Sequence, residues 1–557
     1  MINNNDRYKN YTREELINEL VTLKKKKYGL VWDKKNSQEI LDSFVNWENM
    51  PENFIPRTFP VLEEVKNNEI FTDKNKPINL LIEGDNYHSL AVLNFTHNKS
   101  IDLIYIDPPY NTGNGDFKFN DQWIDKEDSY RHSKWLSFME KRLKLAKNLL
   151  SSKGVMFIHI DEHEVGQLIL LCHELFEENN VDVLIWEKTA NITNTKIIRR
   201  FKQTHEYLIV CYKDKINTIF GKIKKATKWA KTYSNPDNDP RGPFLPGIIS
   251  LEEEKSDSKS ENFYSLKLPS GRIITREWYY PESEVQELIK DNRIYFPRNG
   301  DGIPRIKIFQ NEEQYYYCNS ILMDLGTITT AREEIKDMFD GKDLFSTPKP
   351  IKLGMELIRL IKDKNITILD FFAGSGTVGH SVLKLNSEDE GNRKFILCTD
   401  NENKICSEVC YPRISKAIKG YKNMINEKIP GLGGNLKYFR NNFVGSQPTD
   451  RNKRNLVNKS SEMICIRENI FNPLVDNGLD FKIFSKDNNY LGIIFNEDAI
   501  GKFIEKANNL TGRFSIYCFS YGEFPPEKEF AEIMKNKYTI KAIPEIILKI
   551  YREIFKN

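Results

Sequence analysis

The 557-residue chain lacks the marks of several protein classes. Its eight cysteines are scattered with no Cys-x-x-Cys pair, so no disulfide or zinc framework is encoded and free thiols are expected. The longest apolar run, near Leu168–Cys172, is far shorter than the roughly 20 residues a bilayer-spanning helix needs. The first residues, MINNNDRYKN, hold no apolar leader, which points to a cytoplasmic protein. No Gly-x-x-x-x-Gly-Lys-Ser/Thr loop is present, so no ATP-driven motor is expected. Net charge is scarce too: 82 Lys and Arg against 79 Asp and Glu leave +3, which favours no partner in bulk. Hydrophobic residues at 39% and charged residues at 29% describe an ordinary globular chain, long enough for several domain-sized parts.

Charge is unevenly spread. Between Trp186 and Lys231, twelve Lys and Arg face three acids. Alone, such a stretch reads as solvated surface. Beside a nucleotide-chemistry motif it becomes a candidate phosphate-binding face, with Lys188, Arg199, Arg200, Lys222, Lys224 and Lys225 as candidate DNA contacts.

Residues 1–75 read as a peripheral segment, with a polar helix over Glu14–Lys27. A strand–helix alternation then begins. Strands are expected at Asn79–Glu83, Asp102–Ile106, Gly154–Ile160, Asp182–Trp186 and Tyr207–Tyr212, and helices to Thr96, over Trp135–Leu150 and over Val165–Phe176. Residues 213–345 break the rhythm and read as an inserted domain, with strand-like pieces at Arg272–Thr275 and Arg305–Phe309. The alternation resumes at Pro350, with strands Thr367–Asp370 and Lys394–Cys398 and helices to Ile361, over Val378–Leu385 and over Ser407–Ala417. A separate C-terminal unit is expected from 446 to 557, ending in a helix over Ala542–Phe555. The alternation predicts a doubly wound α/β sheet.

Two loops carry chemistry. Phe371-Phe-Ala-Gly-Ser-Gly-Thr377 follows a strand and opens a helix, so its glycines let backbone N–H groups approach a ligand at the carboxyl edge of a parallel sheet. Asp400 and Glu402 follow the next strand, and either could accept from ribose hydroxyls. Asp107-Pro108-Pro109-Tyr110 closes another hydrophobic strand. The prolines stiffen the loop and leave carbonyl acceptors, Asp107 adds a second acceptor, and Tyr110 offers a face for stacking a base. An aromatic amine is a poor nucleophile because its lone pair is delocalised. Two acceptors on its N–H bonds bias it toward an attack-ready geometry, so the loop works by positioning and electrostatics.

Together the loops resemble the β class of DNA amino-methyltransferases, in which the DPPY loop precedes the FAGSG loop and a target recognition domain lies between them. Leu80–Asn86, Ile101–Gly113, Trp135–Leu143, Thr347–Pro350 and Asp370–Gly376 resemble the modification (Mod) subunits of type III restriction–modification systems, and the resemblance runs over about residues 28–425. It implies a Rossmann-like, S-adenosylmethionine-dependent core with circularly permuted motif order, an inserted recognition domain and a small C-terminal α+β unit. The core halves are 76–212 and 346–445. By resemblance, Asp107, Pro108, Pro109 and Tyr110 hold a flipped-out adenine for methylation at N6. Asp370, Phe372, Ala373, Gly374, Ser375 and Gly376 hold the cofactor's methionine part, Thr347 and Lys349 line that end, and Asp85 and Asn86 lie by its adenine. The implied partners are double-stranded DNA, a second copy of the chain and a restriction subunit. An N4-cytosine enzyme, or an orphan enzyme without a restriction partner, would share this core.

No metal is expected: Asp161–Glu164 reads as a solvated turn, and the weak nuclease-like pattern of Pro236-Asp237 with Glu253-Glu254-Lys255 reads as chance. Trp278, Tyr279 and Tyr280 read as the small core of the inserted domain, with base stacking as the alternative.

Overall fold

A computed structural model describes residues 12–13, 58–119, 122–125, 128, 130–189, 201–224, 233–312, 315–519, 529–532, 537–543, 547–548 and 551. The expected helices at Glu14–Lys27 and, for the most part, Ala542–Phe555 lie outside these residues, as do Arg199, Arg200 and Lys225.

Ten strands form the main sheet: β1 (Thr58–Glu64), β2 (Ile78–Glu83), β3 (Ile101–Ile106), β4 (Leu150–Ile160), β5 (Val181–Glu187), β6 (His205–Tyr212), β7 (Ile321–Leu322), β8 (Thr367–Asp370), β9 (Lys394–Thr399) and β10 (Asn435–Gly445). Their spatial order is β1-β10-β2-β9-β8-β3-β4-β6-β5-β7. The strands from β10 to β4 run parallel, whereas β1 is antiparallel to β10 and β6 is antiparallel to both its neighbours. The sheet is therefore mixed at its flanks rather than wholly doubly wound. The parallel centre reads as continuous apolar runs because both faces are covered: Leu103, Ile104 and Ile106 of β3 and Ile368 and Leu369 of β8 are fully buried. Each such side chain contributes about 1.5–3 kcal/mol.

Helices α1 (Asn86–Thr96), α2 (Arg131–Leu149), α3 (Val165–Phe176), α4 (Ile351–Arg359), α5 (Thr377–Asp389) and α6 (Tyr411–Lys419) join these strands. The Asp85 carboxylate caps α1 by accepting from the Tyr87 N–H at 2.7 Å. Helix α2 buries Trp135, Leu136, Met139, Leu143, Leu145 and Ala146 on one stripe. Because β2, β9, β8 and β3 are adjacent and parallel, the turns that follow them all open at one edge, where ligands of such sheets bind.

The peripheral reading of residues 1–75 fails from Thr58 onward: β1 is an edge strand whose Phe59, Val61 and Leu62 are fully buried. The inserted part is tighter than 213–345. It forms its own compact unit over 222–317, because Ile321–Leu322 pairs with β5 and ties the following chain to the main sheet. Within that unit, Phe244–Ile248, Arg305–Phe309 and Ile294–Tyr295 form a three-stranded sheet beside the hairpin Phe263–Lys267/Ile273–Glu277. Trp278 lies in its core and donates to the Tyr264 carbonyl at 2.9 Å, while Tyr279 is exposed. Asp237, half of the weak nuclease-like pattern, is paired with the buried Lys307 at 2.6 Å, and Lys255 is paired with Glu252.

After β10, helix α7 (Asp450–Glu468) leads to a five-stranded sheet, β11 (Asn472–Asp476), β12 (Phe481–Lys486), β13 (Asn489–Ile494), β14 (Arg513–Cys518) and β15 (Lys537–Lys541), with α8 (Ile500–Asn508) on one face. The two-residue period divides its side chains: Phe481, Ile483, Ile494, Phe514 and Ile516 pack with α8, whereas Leu491, Ile493 and Tyr517 join the cluster of the main core.

Candidate active site

The Asp107 loop leaves β3 at the carboxyl edge. Trp135, fully buried on α2, donates its indole N–H to the Pro109 carbonyl at 2.8 Å and so fixes the loop's second proline. Among the described residues no donor takes the Pro108 carbonyl. Of this loop, Asp107 lines the cleft shared with the FAGSG loop.

Asp107 sits in a polar network assembled from three distant segments. The Lys349 ammonium lies 2.7 Å from Asp107 Oδ2, 3.0 Å from Tyr110 Oη and 3.4 Å from Glu206 Oε2. The Tyr110 hydroxyl is 2.7 Å from Asp107 Oδ1 and 3.0 Å from Glu206 Oε2. On the far side of Glu206, Lys188 approaches at 3.5 Å. Burial disfavours the charge on Lys349, yet Asp107 and Glu206 outweigh it and raise the ammonium's pKa above its ordinary value. Burial, then the same two carboxylates, push the Tyr110 phenol well above its usual range, so it stays a neutral donor. Behind the loop, Tyr105 Oη meets His159 Nε2 at 3.0 Å, and burial followed by the nearby Lys349 charge lowers the His159 pKa to about 3.

The FAGSG loop faces this network. One cleft is lined by Asp107, Tyr105, Thr347, Lys349 and Phe345 on one side and by Asp370, Phe372–Ser375 and Thr377 on the other. Gly374 has φ +48°, and a Cβ there would lie 3.1 Å from the Phe345 ring, so a side chain at this position would crowd the cleft. Gly376 has φ +80° and precedes α5; its close neighbour is Cys410 Sγ, 3.1 Å from a built Cβ. Its requirement for glycine comes from backbone conformation and packing against α6, and it does not line the cleft. Asp370 is buried, and burial raises its carboxyl well above the ordinary range although the Phe372 N–H donates to it at 3.0 Å. Arg413, fully buried on α6, donates to Ser375 Oγ and Thr377 Oγ1 at 2.9 Å and stiffens the loop from behind.

Asp85 and Asn86 lie at the same edge, outside that cleft. Arg142 of α2 donates to Asn86 Oδ1 at 2.6 Å and lies 3.3 Å from Asp85 Oδ2, while Asn86 donates to the Phe371 carbonyl at 2.8 Å. Asn86 thus joins α2 to the FAGSG loop. Asp400 and Glu402 are exposed just beyond β9, with the Glu402 N–H bonded to Asp400 Oδ1 at 3.0 Å. Lys188 is half-buried against Glu206. Lys222 and Lys224 lie on a short strand of the 222–317 unit, where Lys222 is exposed over the Tyr317 ring.

Several members of the site were not singled out from sequence. Glu206 is one of the three acids in the basic stretch 186–231; its signal is a lone carboxylate in an otherwise apolar strand. Asn111, directly after the DPPY loop, is buried in a left-handed conformation (φ +59°), where Asn is tolerated better than most residues. It donates to Glu164 Oε1 at 2.5 Å, and His132 Nδ1 meets the same oxygen at 2.7 Å. The Asp161–Glu164 turn is only partly solvated: Glu162 is exposed, but Glu164 is fully buried and Asp161 nearly so, with Asp161 bonded to the His163 N–H and ring.

A cleft joining an Asp-Pro-Pro-Tyr loop to a glycine turn at the carboxyl edge of a parallel sheet is the arrangement expected of a methyltransferase that acts on amino groups. The family model of the N6/N4 type, described as DNA methylase, matches residues 101–410. The StyLTI Mod subunit of a type III restriction–modification enzyme from Salmonella typhimurium is 30% identical over 75% of this chain and 69% of its own. The EcoPI Mod subunit from Escherichia phage P1 is 29% identical over 69% of this chain and 65% of its own. The chain belongs to the DNA methylase family and groups with the Mod subunits of type III restriction–modification enzymes. It spans about two thirds of the length of these relatives. A solved complex of M1.HpyAVI with SAM aligns with 60% of this chain and 97% of its own, but at 15% identity and a TM-score of 0.29 it is too distant to bear on the assignment.

Proposed function

We propose that the chain is a site-specific DNA methyltransferase acting on N6 of an adenine flipped out of the duplex, as the modification and recognition subunit of a type III system. The observation that carries this reading is the single cleft lined both by Asp107 and by the Asp370–Thr377 turn. On this reading Asp107 is the acceptor that holds the base and the turn is the backbone cradle for the cofactor.

S-adenosylmethionine, the cofactor of this family, supplies an electrophilic methyl group on a sulfonium. The residues fit it: a glycine at 374 keeps the cleft open, and Asp370, Phe372, Ala373, Ser375, Thr347 and Lys349 surround the space. Asp85 and Asn86 lie by the adenine end, and Asp400 or Glu402 accepts from the ribose. Asp107 and the Pro108 carbonyl take the two N–H bonds of the target amine, and Tyr110 stacks against the base. With the cofactor bound, the sulfonium would supply the methyl group to the amine that Asp107 holds. Asp107 would accept the proton that the amine loses. Lys349 and the Tyr110 hydroxyl already occupy both Asp107 oxygens, so the carboxylate is held in place before a base arrives.

Base choice within the 222–317 unit, phosphate contacts from Lys188, Lys222 and Lys224, a homodimer, a restriction partner and action in the cytoplasm belong to the same reading. Among the described residues no helix is long and apolar enough to cross a membrane. Incubating the purified chain with S-adenosylmethionine and DNA, then resolving the nucleosides by mass spectrometry, tests it: N6-methyladenine is expected, and N4-methylcytosine replaces the base assignment.

A further inference from the structure

A cationic cleft lies at the other edge of the main sheet. Two adjoining cavities of about 540 and 440 Å³ share Glu468, Asn469 and Lys541. One wall is the amino-terminal edge of the core: Ile78 begins β2, Thr367 begins β8 and Lys394 begins β9. The FAGSG turn and Asp400 leave the opposite ends of these strands, so the cleft is separated from the chemistry by the length of the sheet. The other wall is the core-facing side of the C-terminal sheet. Register aligns Arg513 with Lys537, Ser515 with Thr539 and Tyr517 with Lys541 across β14 and β15. By the two-residue period these residues share the face on which Tyr517 joins the main core. That face is apolar where it is covered and cationic where it is open.

Six cations line the two cavities, Lys394, Arg467, Lys486, Arg513, Lys537 and Lys541, against two acids, Glu468 and Asp487. Glu468 already accepts from the Tyr517 hydroxyl at 2.6 Å. Arg467 stands over the Phe95 and Tyr517 rings. Among the described residues no acid lies within ion-pair distance of Lys394, Lys486, Arg513, Lys537 or Lys541. Burial and then the neighbouring Lys394 ammonium lower the Lys486 pKa, so these two like charges oppose each other. Among the described residues no acid within ion-pair distance supplies their counter-charge, whereas Lys437 is paired with Glu64 and Glu69.

We infer that this cleft is a second anion site, which takes a phosphate-bearing ligand at the edge of the core opposite the methyl-transfer cleft. The ammonium and guanidinium groups line the two adjoining cavities from β9, from the end of β12, and from β14 and β15, with Lys541 on both. Such a lining suits the clustered charge of phosphates, whether from a nucleotide or a nucleic-acid backbone. The inference does not depend on which base is methylated.

The test is calorimetric binding of inorganic tripolyphosphate to the full chain at low salt, with the Lys394→Gln/Lys541→Gln and Lys394→Arg/Lys541→Arg double variants alongside. The Gln pair should weaken binding at least tenfold, the Arg pair should restore it, and both should methylate DNA at the wild-type rate. Adenosine triphosphate and a twelve-nucleotide DNA strand then identify the source. A nucleotide site loses the first in the Gln variant. A backbone site loses the second, with a salt slope shallower by about one for each cation removed. Equal tripolyphosphate affinity in wild type and Gln variant, no binding to wild type, or tighter binding of polyglutamate than of tripolyphosphate would overturn the proposal, the last in favour of an acidic protein segment.

Discussion

Lys349 and Asp107, 242 residues apart in sequence, meet at 2.7 Å in the floor of the cleft. The pair joins the segment before α4 to the loop after β3, and Glu206 and Tyr110 close the network around it. Removing the cation leaves two carboxylates facing each other. Lys349→Met should cost about 2–3 kcal/mol of stability, at the low side for a broken buried pair because Asp107 is 30% exposed. It should also lower kcat at least tenfold. Denaturant unfolding and steady-state kinetics on the same preparation check both; an unchanged kcat in a folded variant would remove Lys349 from the positioning of Asp107.

Gly374 and Gly376 separate two roles within one loop. Gly374→Ala directs a methyl group at the Phe345 ring and should weaken cofactor binding at least tenfold, with a stability loss of about 1 kcal/mol from the left-handed backbone. Gly376→Val meets Cys410 and Ile414 instead, and should lose mainly stability, about 2–3 kcal/mol. Calorimetry with S-adenosylmethionine and thermal melts distinguish the two. Cofactor affinity that falls more for Gly376→Val than for Gly374→Ala at equal melting temperature would reverse the assignment.

Acid should destabilise the fold through His159. Its folded pKa of about 3 lies below the ordinary 6.5, so between these values the unfolded state binds the extra proton. Stability from keeping His159 neutral is complete above pH 6.5 and is lost as pH falls toward 3, at up to about 1.4 kcal/mol per pH unit. His159→Asn should flatten the dependence of unfolding free energy on pH between about 4 and 6.5 relative to wild type. Equal slopes would show that other groups carry the acid sensitivity.

The Asn111–Glu164–His132 cluster should hold the DPPY loop. Glu164→Ala strands a buried amide and frees a residue in a left-handed conformation, so kcat should fall about tenfold while cofactor affinity stays within a factor of two. Glu164→Gln, which still accepts from Asn111, should recover part of the loss. A fall in cofactor affinity matching that in kcat would place the cluster with the FAGSG loop instead.

The two chemical loops were legible because each ends an apolar strand of the parallel centre, where coverage on both faces leaves an uninterrupted hydrophobic run before a turn. The central strands and helices were legible for the same reason, and Arg305–Phe309 matched its expected strand. The flanks were not. Phe59-Pro-Val-Leu follows a proline-broken stretch, and Asn435–Gly445 mixes buried and exposed residues without a clean period, so neither announced a strand. Glu206 and Glu164 are single carboxylates whose partners come from far along the chain, and pairings of that kind leave no local pattern. Trp135 read as core, and it is; its second role, holding the Pro109 carbonyl, depends on a contact 26 residues away.

The division of labour between the loops is tested most directly by Asp107→Ala, measured in one preparation for S-adenosylmethionine affinity by calorimetry and for N6-methyladenine formation in a single turnover on DNA. On the proposed reading Asp107 is assigned to the base, which predicts cofactor affinity within about threefold of wild type and methyl transfer reduced at least a hundredfold. Near-normal methyl transfer by this folded variant would contradict it.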